Sequence, residues 1–161
     1  MKIFRTLLCL ALSVHSFASI ANSEQLVGAW KCSTALPISW LDALSIYSPD
    51  GSFTGVASSI TETKVHEGNV NFDLFLVGSW SLNGKELTTN ITNVEVVPKN
   101  PQTEKEIETL KEAVNQPSLL YSVQEVLLLT NDKLRTRSEN GAIDNCVRAV
   151  SASELRTKSE E

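Results

Sequence analysis

Past residue 21, histidine and cysteine almost vanish from this chain: of two histidines and three cysteines, only His66, Cys32 and Cys146 remain. A lone histidine between Lys64 and Glu67, in a stretch that reads as a turn, has no second imidazole for a metal pair, and no CxxC motif marks a redox or zinc site. G-x-S-x-G elbows, glycine-rich phosphate loops and carboxylate pairs spaced for acid and base work are also missing. Asp42, Asp50, Asp73, Asp132 and Asp144 fall mainly at expected turns or on an expected outer face. With no residue to carry catalysis, the expectation is a protein that is not an enzyme, with no catalytic residue, metal or cofactor. Positive charge is scarce as well, 14 Lys+Arg against 19 Asp+Glu for a net charge of −5, which disfavours nucleic acid as a partner. No apolar run after residue 21 approaches the roughly 20 residues of a membrane-spanning helix, so the chain is not expected to span a membrane.

What the first 21 residues do contain is a three-part layout: Lys2 and Arg5, the apolar run Leu7 to Val14, and small residues from Ala18 to Ala21. This is the pattern of a cleaved signal peptide over 1–21, with the cut after Ala21, and it places the product in the periplasm or secreted medium. Cys9 lies inside the apolar run without small residues before it, which argues against a lipoprotein cysteine. Cleavage removes Lys2 and Arg5 and no acid, taking the net charge to −7. The rest is long enough for one domain with a sizeable core. Two cysteines in an oxidising compartment are most simply one disulfide, Cys32 with Cys146.

Strand and turn signals then recur at short intervals, the mark of an antiparallel meander. Strands are expected over Gln25 to Ser33, Ala43 to Ser48, Ser52 to Glu62, Val70 to Leu82, Glu86 to Val97, Leu119 to Thr130, Lys133 to Ser138 and Asp144 to Val150. Pro49-Asp50-Gly51, Asn83-Gly84 and Asn140-Gly141 supply turn chemistry between them. The clearest alternation runs from Val70 through Phe72, Leu74, Leu76 and Gly78 to Trp80 and Leu82. A loop holding Pro37 and Trp40 is expected after the first strand.

Between Pro101 and Pro117 the period changes. Thr103 with Glu106 reads as a capping box, and Ile107, Leu110 and Val114 form one narrow apolar stripe, predicting an inserted α-helix over about 102–115. Its other faces are charged, so it is expected to lie solvated on the barrel or over one mouth.

Cys32 and Cys146 have an equal index sum to Trp30 and Arg148, and antiparallel strands in register pair residues of constant index sum. One alignment of the first strand on the last therefore sets Cys opposite Cys and Trp opposite Arg. An even number of strands in a meander gives that antiparallel closure. The fold class is accordingly all-β, an antiparallel up-and-down barrel of about eight strands whose interior is either filled or holds one small ligand.

Gly28-Ala29-Trp30 resembles the G-x-W signature of the lipocalin superfamily, and Tyr47 to Phe53 and Gly78 to Leu87 are similar to segments of bacterial lipocalin-like domains. The resemblance implies that Trp30 packs at the closed barrel end against Arg148, with Gly28 beside it. It implies a lipocalin-like domain over 22–152 that contains a small apolar ligand, leaving a polar flexible tail at 153–161. Candidate ligand-lining residues are Trp40, Phe53, Phe72, Leu74, Leu76 and Trp80, for which ordinary core is the favoured reading. The alternative is a filled barrel acting as an inhibitor or envelope accessory module, with an envelope protein as partner, through the Pro37 to Trp40 loop or the acidic helix.

Overall fold

The computed structural model describes residues 22–36, 39–62 and 69–151. The expected signal peptide over 1–21, Pro37, the expected turn around His66 and the expected tail at 153–161 lie outside the described residues.

Eight strands form a closed antiparallel barrel in sequence order: β1 (Gly28–Leu36), β2 (Ser39–Tyr47), β3 (Ser52–Glu62), β4 (Asn69–Asn83), β5 (Glu86–Pro98), β6 (Tyr121–Leu129), β7 (Lys133–Ser138) and β8 (Ile143–Ser151). The sequence expectation of about eight strands holds, and the seam closes as the index sums require. Cys32 pairs with Cys146 and Trp30 with Arg148, with a register shift between Ala29 and Trp30. A disulfide joins Cys32 to Cys146. Among the described residues, four short helices accompany the barrel: α1 (Ser23–Leu26), α2 (Pro101–Lys105), α3 (Ile107–Val114) and α4 (Pro117–Leu120).

Four local expectations change. The single inserted helix is broken at Glu106, whose φ of −99° and ψ of 6° leave the helical well. The Thr103 to Glu106 capping box does not form either. Asn100 is the N-cap instead: its side chain accepts from the Thr103 N–H at 2.8 Å, while the Thr103 hydroxyl accepts from the Asn71 N–H at 2.8 Å and donates to the Asn71 carbonyl at 2.9 Å. Thr103 is thus fully buried as the anchor of α2 on β4. Trp40, expected in a loop, stands in β2 with its backbone opposite Ala35 and Ile60; pairing with both neighbours outweighs the nearby proline. Its side chain lies outside the described part. The chain also begins one element earlier than expected, with α1 capped by Asn22, whose side chain accepts from the Glu24 N–H at 3.0 Å.

β4 and β5 are the longest strands, and their hairpin carries a bulge between Val77 and Gly78. Only glycine fits at 78, because a Cβ there would meet the Asn90 carbonyl oxygen at 2.1 Å. β6 joins β5 only between Glu86 and Asn90, so the far half of β5 has no β6 partner. The α2 and α3 segments pack against β4 and β5 there.

Candidate functional site: the barrel interior

Strand alternation and register divide the interior into layers. At the end where the chain enters, Trp30 is fully buried. Its indole Nε1 donates to the Leu26 carbonyl at 2.7 Å, and the Arg148 guanidinium lies 4.1 Å from its ring centroid. Arg148 also donates to the carbonyls of Val27 at 2.8 Å, Gln25 and Asn131, so this one cation ties α1, the β6–β7 turn and β8 together. Desolvation lowers the Arg148 pKa. Tyr47 packs tilted on Phe53 at 5.4 Å and edge-on to Trp80 at 5.6 Å, and Trp80 Nε1 donates to the Ser48 carbonyl at 3.0 Å. Leu87, Ile91, Val126 and Leu134 complete this cluster. The α1 helix takes part in sealing this end, with Leu26 fully buried in the same cluster.

At the opposite end a second cluster of Val70, Phe72 and Val96 meets Ile107, Leu110 and Val114 of α3. The narrow stripe read from sequence is therefore the contact face, and the helix covers inward-facing residues of β4 and β5. No residue of α3 is buried, so this closure is thinner than the other.

Beside these clusters, the inner faces of β1, β2 and β3 carry mostly small or polar side chains, Leu41 excepted. Register aligns Cys32, Ala43, Ala57 and Leu74 in one row, and Thr34, Leu41, Ser59 and Phe72 in the next. Continuing across the seam, the inner face of β8 presents Asp144, that of β7 Thr136 and Ser138, and that of β6 Gln124. These groups form one network. Gln124 Nε2 donates to Asp144 Oδ2 at 2.8 Å and to Ser138 Oγ at 3.4 Å; the Thr136 hydroxyl donates to Oδ2 at 3.3 Å, and the Thr34 hydroxyl to Oδ1. The carboxylate thus gathers β1, β6 and β7 around β8. Burial, and after it the charge of Asp144, raises the Tyr47 hydroxyl pKa, while a hydrogen bond with Ser45 opposes the shift. The phenol is neutral at physiological pH. Among the described residues, no buried side-chain polar atom lacks a hydrogen-bond partner.

Asp144 is the residue that sequence reasoning misplaced, on the outside or in a turn. The signal was available, because position 144 shares the face of Cys146, whose inward direction the disulfide and Leu134 settle. Asp42 and Asp50 do stand exposed, and Asp132 sits in the β6–β7 turn. Of the residues put forward as lining, Phe53 and Trp80 stand in the sealed cluster with Leu76 packed against it, whereas Phe72 and Leu74 stand in the helix-covered cluster. The two groups adjoin through Val94, which packs against both clusters, and the Trp40 side chain lies outside the described residues.

Two surface features accompany this interior. An open groove of about 550 Å³ has Gln124 and Ser138 on its wall, with Lys85, Glu86, Arg137 and Glu139 around them. On the outer wall, Leu44, Val56 and Phe75 align in one exposed row, and Val77 lies 47% exposed beside it. Among the described residues no group of three or more His, Cys, Asp or Glu is arranged to hold a metal, and no helix is long and apolar enough to cross a membrane.

No protein-family model and no curated protein matches the chain. Among solved structures, it is similar to a lipocalin-like protein from Bacteroides uniformis, with 18% identity, a TM-score of 0.40, and coverage of 77% of this chain and 98% of the other. It is also similar to an uncharacterized protein from Bacteroides eggerthii, with 18% identity, a TM-score of 0.44, and coverage of 76% and 98%. The disulfide is consistent with an extracytoplasmic protein. An eight-stranded up-and-down barrel whose first strand sets a G-x-W tryptophan beneath an arginine of the last is consistent with a lipocalin-like domain.

Proposed function

We propose that the protein is a periplasmic or secreted binding protein, released by cleavage after Ala21, that holds one small, largely apolar molecule inside the barrel and performs no catalysis. The observation that supports this reading is the layer of small side chains beside the two apolar clusters. Ala43 and Ala57 face inward side by side, next to Leu74, with Thr34 and Ser59 one row on. In an eight-stranded barrel, inner side chains must be large to fill the centre, and where they are small a ligand can take their place. The α3 helix, held by three half-buried side chains, is suited to move aside for entry.

Native mass spectrometry of the mature, disulfide-bonded protein from its own host tests the reading. A reproducible small-molecule adduct is expected, lost on denaturation and absent from Ala57→Leu, which fills the small-residue layer. A bare protein that also takes up no eight-carbon probe in solution overturns it. The exposed row of Leu44, Val56 and Phe75 would then favour the alternative, a protein-binding module.

A further inference from the structure

We propose that the molecule held in this barrel carries a positively charged nitrogen and that Asp144 is the group that receives it. This inference rests on the ligand-binding reading above and specifies its chemistry. Asp144 faces inward, and its three hydrogen-bond donors, Thr34, Gln124 and Thr136, are all neutral. They satisfy geometry without compensating charge. A carboxylate has about four acceptor positions, and it holds a donor most strongly where a cation accompanies it. Among the described residues none does, since the ion pairs are Lys99 with Asp73, Lys111 with Glu108 and Arg137 with Glu125.

The neighbouring strand makes the point sharper. Along β7, Lys133, Arg135 and Arg137 alternate with Leu134, Thr136 and Ser138, and all three cations are exposed while Leu134 and Thr136 are buried. A strand with three positive charges thus turns only neutral donors toward the carboxylate. Arg148, the one arginine stacked on an inner aromatic, is committed to Trp30 and three carbonyls at the sealed end. Among the described residues, no cationic side chain pairs with the Asp144 carboxylate.

Access and the rest of the ligand follow from the surroundings. Gln124 and Ser138 stand on the wall of the 550 Å³ groove, so Asp144 lies one side chain away from open solvent. Glu86, Glu125 and Glu139 outnumber Lys85 and Arg137 around that groove, which favours the approach of a cation. Leu74 and Phe72 offer the apolar wall in the adjoining rows. The class of ligand is therefore a small amine with an apolar tail.

Isothermal titration of the mature, disulfide-bonded protein with octylamine, octanol and octanoate tests this, because the three differ in head-group charge on the same chain. Octylamine is expected to bind at least about tenfold more tightly than octanol, with octanoate weakest, as a charge-assisted hydrogen bond requires. Asp144→Asn should remove the advantage of the amine while leaving octanol binding in place, and Asp144→Glu should retain it. Octanol binding as tightly as octylamine overturns the inference and leaves the container reading standing. An amine preference that survives Asp144→Asn overturns the assignment to Asp144. Binding of none of the three overturns both readings. Should Asp144→Asn fail to fold, the ranking on the unmodified protein decides.

Discussion

The two ends of this barrel are closed by different physics. At the end holding Trp30, closure is made by large side chains from the barrel wall, by the fully buried Leu26 of α1 and by Arg148 reaching three backbone carbonyls. At the other end, a two-turn helix rests three aliphatic side chains on Val70, Phe72 and Val96, and none of its residues is buried. The first arrangement couples elements distant in sequence and cannot open without exposing the core. The second can lift at the cost of a small apolar contact and a few hydrogen bonds around Thr103. The proposed entry of a molecule would use this asymmetry, one end carrying stability and the other carrying access.

The largest expected effect comes from breaking the sealed end. Trp30→Ala should cost about 4 to 5 kcal/mol, since it removes a fully buried indole and the surface on which Arg148 stacks. Urea unfolding at neutral pH reads this directly. Next, Cys32→Ser combined with Cys146→Ser, which opens the seam between the ends across 114 residues of chain, should lower stability by about 2 to 4 kcal/mol in the same assay.

The thin end should respond differently. Leu110→Ala should cost only about 1 kcal/mol, because Leu110 is half-buried, yet it should speed amide hydrogen exchange in α3 and the adjoining parts of β4 and β5. Exchange around Trp30 should stay as slow as in the unmodified protein. Equal acceleration at both ends would mean that the barrel opens as one unit and would remove the asymmetry.

Acid should produce the smallest effect. Asp50 is held below the usual carboxylate range by the Ser52 hydroxyl and N–H, Asp73 by the Ser58 hydroxyl and then Lys99, and Asp132 by the Thr130 hydroxyl. Each depressed pKa contributes stability that is present above the unfolded value, near 4, and lost as pH falls through the folded value. The Tm should therefore be flat from pH 7 to about 5 and drop modestly below about pH 4. Asp73→Asn should soften the drop, and a drop centred near pH 6 would contradict these assignments.

Much of this molecule can be read from residues. Alternation in Val70 to Leu82, the Asn83-Gly84 turn and the paired positions of Trp30 and Cys32 against Arg148 and Cys146 are local or arithmetical signals, and the structure reproduces them. The helical region was legible as apolar periodicity but not as broken helices, because its anchor, Thr103, spends its hydroxyl on Asn71, a residue 32 positions away. Trp40 was assigned to a loop by a nearby proline, whereas pairing on both edges holds its backbone in β2. The interior was legible least. Phe53, Phe72, Leu74, Leu76 and Trp80 were recognisable as inward-facing, but which of them meet depends on strand stagger, and stagger separated them into two clusters.

What the sequence by itself determined is the barrel: side-chain period 2, turn residues at each reversal, and one cysteine pair whose register closes the sheet, since each of these acts over a few residues or along a single pairing. What only the tertiary structure decided is the content of that barrel. The curvature and shear of eight strands bring Thr34, Gln124, Thr136 and Asp144 from four separate strands to one point. No local pattern encodes that convergence, because it exists only after the sheet has closed on itself.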